Sequence, residues 1–251
     1  MNKTQQQNID NLTSLWETVS QPFQAYFDKE HMAYSIIPDA EWPNRIWSKV
    51  ELTEYILTQM LDILKVETDL SAISLFMDRE DEAYWDASLL HAGYEFKSIQ
   101  YGMSLSLTQQ YEPTNRLDFK LVNNKNEISI WCTAFEQSFG YKINETTLLH
   151  SVDKIAYYTI FLDSQPAGTV ILYNTGTVAG IHSLGVVPEM RGKGIAQEIM
   201  QFILKEALST GAKIATLQAS EMARNMYIRL GFTEDFYMKN YKHKTQNNGT
   251  T

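Results

Sequence analysis

Residues 181–204 read IHSLGVVPEMRGKGIAQEIMQFIL and carry the strongest structural signal in the sequence. A segment rich in β-branched residues ends at Pro188, a loop with two glycines follows, and a helix with apolar periodicity begins directly afterwards. In a strand, loop and helix of this kind, successive main-chain N–H groups point to one spot beside the helix N-terminus. That end of a helix carries a partial positive charge. The stretch therefore predicts an anion site.

The composition of the loop favours a diphosphate as the anion. Gly192 and Gly194 allow close approach of a ligand because they lack a Cβ atom, and Arg191 and Lys193 add positive charge. Two known phosphate loops are excluded, since neither G-x-x-x-x-G-K-[ST] nor G-x-G-x-x-G is present. The alternative is a tight helix start that binds no ligand.

The pattern I-x-x-L-x-V-x-P-x-x-R-G-K-G-I-A resembles the acetyl-CoA motif of the GNAT acetyltransferase superfamily. Arg191, Gly194 and Ala196 occupy the three positions of its core, [Q/R]-x-x-G-x-[G/A]. The resemblance implies acetyl-CoA as co-substrate, no metal, and a pyrophosphate held by the loop. The implied contacts are Arg191, Gly192, Lys193, Gly194, Ile195 and Ala196.

A second segment, EMARNMYIRLGF at 221–232, resembles the L-Y-x-x-L-G-F helix ending of the same family. Tyr227, Leu230, Gly231 and Phe232 match, and Met226 replaces the common leucine. Both motifs occur in the family order, which is more specific than either alone.

Tyr227 is the candidate general acid. Attack of an amine on a thioester expels a thiolate, and a tyrosine with a pKa of about 10 is still protonated at neutral pH to supply its proton. The alternative is a tyrosine that only packs. By resemblance, N–H groups at Leu184, Gly185 and Val186 would hold the oxyanion and the pantetheine amides.

Other assignments stay open. Ser220 stands where many relatives carry asparagine, and Asn225 is either a cofactor contact or a surface residue. The general base is not identified: His182 is a candidate or a structural histidine, and Glu136 is a candidate or a solvated helix residue. Many relatives deprotonate the amine through water.

The chain as a whole predicts an α/β protein with a mixed sheet. Three hairpin-linked strands at 155–162, 168–174 and 177–187 precede a strand–helix–strand crossover to 213–219. We predict helices at 10–28, 52–66, 82–92, 127–138, 145–152, 221–229 and from the 188–193 loop to about 209. Further strands are expected at 33–37, 71–76, 94–107, 117–122 and 235–241. The expected organisation is an accessory segment at 1–112, a catalytic GNAT domain at 116–242 and a flexible tail at 243–251.

The N-terminal half contains a faint echo of the C-terminal motifs. Alignment of Gly93 with Gly231 places similar strand–helix–Gly–aromatic–strand patterns in both halves, with Leu89 opposite Tyr227. This favours a tandem arrangement with a degenerate, truncated N-terminal copy that binds no cofactor, and chance similarity is the alternative. Aromatic residues that could line an acceptor cleft, or simply lie in the core, are Trp42, Trp47, Trp131, Phe139 and Tyr141.

The net charge of −9 and the pI of about 5.1 argue against sequence-independent binding to nucleic acid or anionic membranes. They also favour, weakly, cationic acceptors such as polyamines, aminoglycosides or basic peptides. Cys132 is the single cysteine, which excludes an intrachain disulfide. The first residues lack the pattern of a secretory signal, so a cytoplasmic protein is expected.

The leading functional hypothesis is an enzyme that transfers an acetyl group from acetyl-CoA to a primary amine of a small molecule or peptide. The alternative is a non-catalytic acyl-CoA-binding sensor or scaffold. Many relatives pair through edge strands, so a homodimer is one arrangement compatible with the sequence, which leaves the oligomeric state open.

Overall fold

The structure, a computed structural model, describes residues 1–70, 72–78 and 82–244. It consists of one mixed sheet with helices on both faces. The helices are α1 Lys3–Ser20, α2 Glu54–Val66, α3 Glu82–His91, α4 Lys125–Phe139, α5 Glu145–Leu149, α6 Ile195–Ser209 and α7 Glu221–Arg229. The strands are β1 Tyr26–Asp28, β2 Met32–Ser35, β3 Arg45–Ser48, β4 Ala72–Met77, β5 Tyr94–Ser106, β6 Asp118–Leu121, β7 Ala156–Leu162, β8 Gln165–Thr175, β9 Val178–Val186, β10 Ile214–Ser220 and β11 Thr233–His243.

The order of strands in the sheet is β1-β2-β3-β4-β11-β5-β10-β9-β8-β7-β6. The last strand of the chain, β11, therefore lies between β4 and β5, and β5 lies beside β10. The predicted division between 1–112 and 116–242 falls in the connection from β5 to β6, and the sheet continues across it. Each half thus supplies one strand to the part of the sheet built by the other half.

The C-terminal half has the predicted topology. Strands β6 to β9 form an antiparallel meander, and α6 carries the chain to β10, which is parallel to β9. Helix α6 packs through its apolar stripe, because its buried residues recur at three- and four-residue steps. The mixed α/β sheet expected from the sequence is confirmed.

The two faces of the sheet carry different cores. On one face, Ile199 and Ile203 of α6 pack with Val170 and with Tyr227. On the other face, Leu15 of α1 and Trp131 of α4 pack over Ile171, the neighbour of Val170 in β8. Any ligand that passes through the sheet between β9 and β10 therefore meets α6 and α7 on one side and α1 and α4 on the other.

The largest differences from the sequence-based expectation lie before residue 50. The helix expected at 10–28 is instead α1 at Lys3–Ser20, which starts at a capping box of Asn2 and Gln5. A single 3-10 turn containing Pro22 and a left-handed Gln24 ends the helical region, and residues 26–28 form β1. The short strand β3 was not predicted, since four residues with two polar ends give little periodicity.

The predicted tail at 243–251 lies, apart from His243 and Lys244, outside the described residues. Within the described ranges, no helix combines the length and apolar character that crossing a membrane requires.

Candidate functional site

A slot opens between β9 and β10. The two strands pair at only three positions, Val178–Gly180 with Ile214–Thr216. Beyond this point β9 remains on β8 as far as Val186, while β10 remains on β5 as far as Ser220. Two parallel strands that separate in this way leave unpaired main-chain groups on the two edges that face the gap. The slot can therefore accept an extended ligand that offers amide hydrogen bonds.

The glycine loop lies at the end of β9 that borders the slot. Gly192 and Gly194 have φ values of 76° and 77°, which favour glycine, and a Cβ at either position would meet no atom within 4 Å. The N–H groups of Gly192, Lys193 and Gly194 donate to no acceptor among the described residues. The loop is exposed, so these donors face solvent.

Helix α6 begins without a side-chain cap at Gly194. By contrast, side chains of Asn2, Thr53, Asn124 and Ser220 cap α1, α2, α4 and α7. A 15-residue helix with an uncapped, exposed N-terminus keeps its orphan donors for another partner. The predicted loop residues Arg191–Ala196 are thus brought together around a free helix N-terminus.

Arg191 holds the loop in place. Its Nε donates to the carbonyl of Val186 at 3.1 Å, and Nη2 donates to the carbonyl of Ser138 at the end of α4, at 3.0 Å. The ammonium of Lys193 contacts only the sulfur of Met190, at 3.5 Å, among the described residues. The side chain of Arg191 therefore donates its hydrogen bonds within the protein, and the ammonium of Lys193 is more available to a ligand.

Arg116 is a loop contact that the sequence reasoning missed. Its Nη2 donates to the carbonyl of Lys193 at 2.8 Å, and the guanidinium also pairs with Glu198 of α6, which accepts a hydrogen bond from Thr114. Arg116 and Thr114 lie in the connection between β5 and β6, which carries no motif, so no sequence signal identified them.

Strand β9 is bulged where it borders the slot. Thr169 pairs with Gly185 and Ile171 with His182, so Ser183 and Leu184 both oppose Val170. Ser183 adopts a left-handed φ of 50°. Gly185 faces α4, since a Cβ there would lie 2.5 Å from the Phe139 ring. The bulge releases the main chain at Leu184 from pairing with β8.

Tyr227 lies on α7 and is 6% exposed. Burial raises the pKa of its hydroxyl well above the ordinary value of 10.0, so the group is protonated at neutral pH. The ring packs edge to face with Phe232 at 5.8 Å, and the hydroxyl has no hydrogen-bond partner among the described residues. Tyr227 therefore offers a proton that no described group accepts.

The other predicted residues of α7 have simpler environments. The hydroxyl of Ser220 caps α7 by accepting from the N–H of Ala223 at 3.4 Å. Asn225 is exposed and makes no side-chain hydrogen bond with a described residue.

The two candidate general bases, His182 and Glu136, lie in different environments. His182 is buried, and its Nε2 lies 3.0 Å from Oδ1 of Asn11 on α1. Burial lowers its pKa to about 4, although a hydrogen bond with Gln218 opposes this effect. Glu136 is half-exposed and pairs with Lys142 at 3.5 Å. The imidazole of His182 is therefore neutral at pH 7 and already bonded.

Only two of the five aromatic residues considered for an acceptor cleft are open to solvent. Trp42, Trp47 and Trp131 are buried in the core of the α1 and α4 face. Phe139 and Tyr141 are 39% and 36% exposed, and their rings lie 6.2 Å apart at the end of α4 that contacts Gly185.

A cavity of about 610 Å³ lies elsewhere, where β3 and β4 end and α2 begins. Its lining includes Phe76, Glu51 and Trp47, which is one of the aromatic residues considered for an acceptor cleft, but none of the predicted cofactor-binding or catalytic residues. Its volume alone therefore does not make it the catalytic centre.

Comparison with known proteins identifies the region that contains the loop. Residues 125–232 match the family described as Acetyltransferase (GNAT) family. No curated protein matches the chain.

Solved structures share the fold over nearly the whole chain. A GCN5-related N-acetyltransferase from Kribbella flavida matches with a TM-score of 0.66 and 14% identity, over 92% of this chain and 96% of that one. A GCN5-related N-acetyltransferase from Sphaerobacter thermophilus gives a TM-score of 0.64 and 15% identity, over 90% and 84%. A tandem GNAT protein from the clavulanic acid biosynthesis pathway gives a TM-score of 0.58 and 10% identity, over 84% and 78%. The expected acyltransferase fold is confirmed.

Proposed function

Since the segment 125–232 belongs to the GNAT family of acetyltransferases, we propose that this protein transfers an acetyl group from acetyl-CoA to a primary amine. The observation that carries the proposal is the free N-terminus of α6, where exposed N–H groups of Gly192, Lys193 and Gly194 lie beside the slot between β9 and β10. Such a helix start binds phosphate groups through its donors and its dipole.

The cofactor would lie with its pyrophosphate on the loop Arg191–Ala196 and its pantetheine in the slot. Lys193 supplies charge, while Arg191 and Arg116 hold the loop main chain in position. The edge of β9 at Leu184, Gly185 and Val186 supplies main-chain partners for the pantetheine amides, because the bulge frees Leu184 from β8. Ser220 and Asn225 border the opposite side of the slot and α7.

Acetyl transfer then proceeds by direct attack of the amine on the thioester. The amine nitrogen attacks the thioester carbonyl carbon, the resulting oxyanion accepts hydrogen bonds from N–H groups of the Leu184–Val186 edge, and the carbon–sulfur bond breaks. Tyr227 donates its hydroxyl proton to the departing sulfur, and the amine loses a proton to solvent, from which Tyr227 is reprotonated. The high pKa of Tyr227 keeps this proton in place before the reaction.

We further propose that the N-terminal half is a degenerate copy of the same fold. The order β3, α2, β4, α3, β5 repeats as β9, α6, β10, α7, β11, and Gly93 and Gly231 both have positive φ after the second helix. The α2 start differs from that of α6, since Thr53 caps it and Glu51 and Glu54 are anionic. The start of α2, the counterpart of α6, is therefore not free to bind a diphosphate.

Isothermal calorimetry with CoA tests the proposal. We expect Gly192→Ala to weaken CoA binding by about tenfold or more, because a Cβ intrudes where the diphosphate approaches the main chain. Gly176→Ala is the matched control, since Gly176 also has positive φ and open space around its Cβ position. Both variants should lose similar stability, about 1–2 kcal/mol for a left-handed alanine. The proposal fails if the parent does not bind CoA or if the two variants bind it equally well.

A further inference from the structure

Arg45 on β3 carries a charge that no described carboxylate neutralises. Its guanidinium lies over the ring of Trp16 at 4.6 Å, Nε donates to the carbonyl of Pro43, and Nη1 donates to the hydroxyl of Ser74, both at 3.3 Å. Nη2 donates to no described residue. Partial burial of a guanidinium without an anionic partner costs free energy. The position of Arg45 therefore calls for a functional explanation.

Lys97 on β5 adds a second cation to the same part of the sheet. Asn240 of β11 pairs with Ser74, the hydrogen-bond acceptor of Arg45, on one side and with Ser98, the residue after Lys97, on the other. Burial and the charge of Arg45 both lower the pKa of the Lys97 ammonium, while Glu41 opposes them. Lys97 forms no ion pair with a described residue. In a chain with a net charge of −9, the charges of Arg45 and Lys97 together outweigh the single opposing charge of Glu41, so the local potential is positive.

A line of polar side chains connects Arg45 with the slot. The hydroxyl of Ser74 donates to Oδ1 of Asn240 at 2.7 Å, and Nδ2 of Asn240 donates to Oε1 of Gln100 at 3.3 Å. Nε2 of Gln100 donates to the carbonyl of Gln218 on β10 at 3.2 Å. The line crosses β3, β4, β11, β5 and β10, which is four strand spacings or about 19 Å.

Aromatic side chains form the other link between Arg45 and the slot. Tyr141 lies close enough to Arg45 for their charges to interact. The Tyr141 ring lies 6.2 Å from the ring of Phe139, and Phe139 packs on Gly185 of β9. Phe139 and Tyr141 are the exposed members of the predicted acceptor aromatics. Arg45 and Lys97 thus lie on the end of the sheet towards which β9 and β10 diverge.

We propose that Arg45 and Lys97 bind an anionic group, a carboxylate or a phosphate, on the amine that receives the acetyl group. The inference rests on the proposed acetyltransferase function, and it assigns the acceptor class as extended amines with a negative charge several bonds from the nitrogen. Arginine suits this role because its planar fork matches both anions. The local positive charge therefore favours anionic acceptors, whereas the negative net charge of the chain favoured cationic ones.

Matched acceptor pairs test this assignment. Hexaalanine is compared with hexaalanine amide, and aminododecyl phosphate with aminododecanol, by measuring thiol release from acetyl-CoA. An extended chain of six residues spans about 20 Å, which is long enough to reach Arg45 from the slot. We expect kcat/KM to be about 10- to 100-fold higher for the anionic member of at least one pair, as for a hydrogen bond to a charged group. The pair with the larger ratio identifies carboxylate or phosphate.

Variants assign the preference to the two cations. Lys97→Gln and Arg45→Gln should abolish the preference for the anionic acceptor and leave the KM for acetyl-CoA unchanged. Arg45→Lys, which keeps the charge at a position packed on Trp16, should retain part of it. Lys154→Gln is the control, because Lys154 is exposed and forms no ion pair with a described residue.

Two failures are distinguishable. The assignment is overturned if anionic and neutral acceptors react equally, or if the preference survives in both Lys97→Gln and Arg45→Gln. The proposed function fails instead if no amine is acetylated. Calorimetric binding of hexaalanine or aminododecyl phosphate that Arg45→Gln abolishes would then still support the anion site, and equal binding by the parent and Arg45→Gln would rule it out.

Discussion

Nε2 of His182 on β9 lies 3.0 Å from Oδ1 of Asn11 on α1. The amide of Asn11 is oriented by two donations from Nδ2, to the carbonyl of Tyr173 and to the hydroxyl of Thr175. Oδ1 therefore accepts, and Nε2 of His182 carries the proton of a neutral imidazole. His182 joins β9 to α1, and its environment is that of a structural histidine.

Stability should fall as the pH falls from about 6.5 to about 4. In this window the unfolded chain protonates His182, whose ordinary pKa is 6.5, while the folded protein does not, because burial lowers the pKa to about 4. The unfolded state then binds more protons, so the free energy of unfolding decreases by up to about 1.4 kcal/mol per pH unit. Denaturant unfolding at several pH values measures this slope.

His182→Gln should flatten that slope, and His150→Gln, at an exposed position, should not. An unchanged slope in His182→Gln would show that other groups cause the pH dependence.

Tyr227→Phe should lower kcat by about 10²–10⁴-fold, because the sulfur then leaves without a positioned proton donor. CoA affinity should stay close to that of the parent, since the ring and its contact with Phe232 remain. Tyr158→Phe is the matched control: Tyr158 packs against the same core cluster, with its ring 5.5 Å from that of Phe202. Equal turnover by both variants would rule out Tyr227 as the acid, and an inactive parent that binds CoA would favour the sensor alternative.

Arg191→Ala should weaken CoA binding more than Lys193→Ala. Arg191 joins Val186 and Ser138 through two hydrogen bonds, so its loss frees the loop as well as removing a charge. Among the residues that the structure describes, the ammonium of Lys193 contacts only the thioether of Met190, so truncation of this side chain removes the charge alone. Calorimetry at two salt concentrations separates the effects, because screening reduces the charge contribution and not the loop order. The opposite ranking would mean that charge, and not loop geometry, dominates.

Gly180→Ala should destabilise the protein by about 1–3 kcal/mol through overpacking. A Cβ at position 180 would lie 1.7 Å from Oδ1 of Asn11. Asn11→Ala should cost stability by itself, yet the double variant should lose less than the sum, and thermal unfolding of all four proteins measures this coupling. Additive losses of stability would indicate that α1 moves away from the added Cβ without strain.

The C-terminal half was predictable because each signal there is local. The β-branched run before Pro188, the two glycines and the periodic helix that follows depend on neighbours in sequence. The bounds of α6 and β10 agree with the prediction within about two residues. The family match at 125–232 confirms the resemblance on which the site residues were proposed.

The parts that escaped prediction depend on distant neighbours. Arg45 lies on a four-residue strand whose place is set by β2 and β4, and Lys97 is interpretable only once β11 lies beside β5. Arg116 acquires its role through the carbonyl of Lys193, 77 positions away. Contacts of this kind leave no periodic trace, and the position of β11 in the sheet was not anticipated.

The position of β11 between β4 and β5 also affects folding during translation. During synthesis, β4 and β5 leave the ribosome long before residues 233–243, yet the sheet leaves a gap between them that only those residues fill. Nascent chains therefore hold two unmatched strand edges until translation reaches the final strand, an interval in which a chaperone or premature self-association has its opportunity.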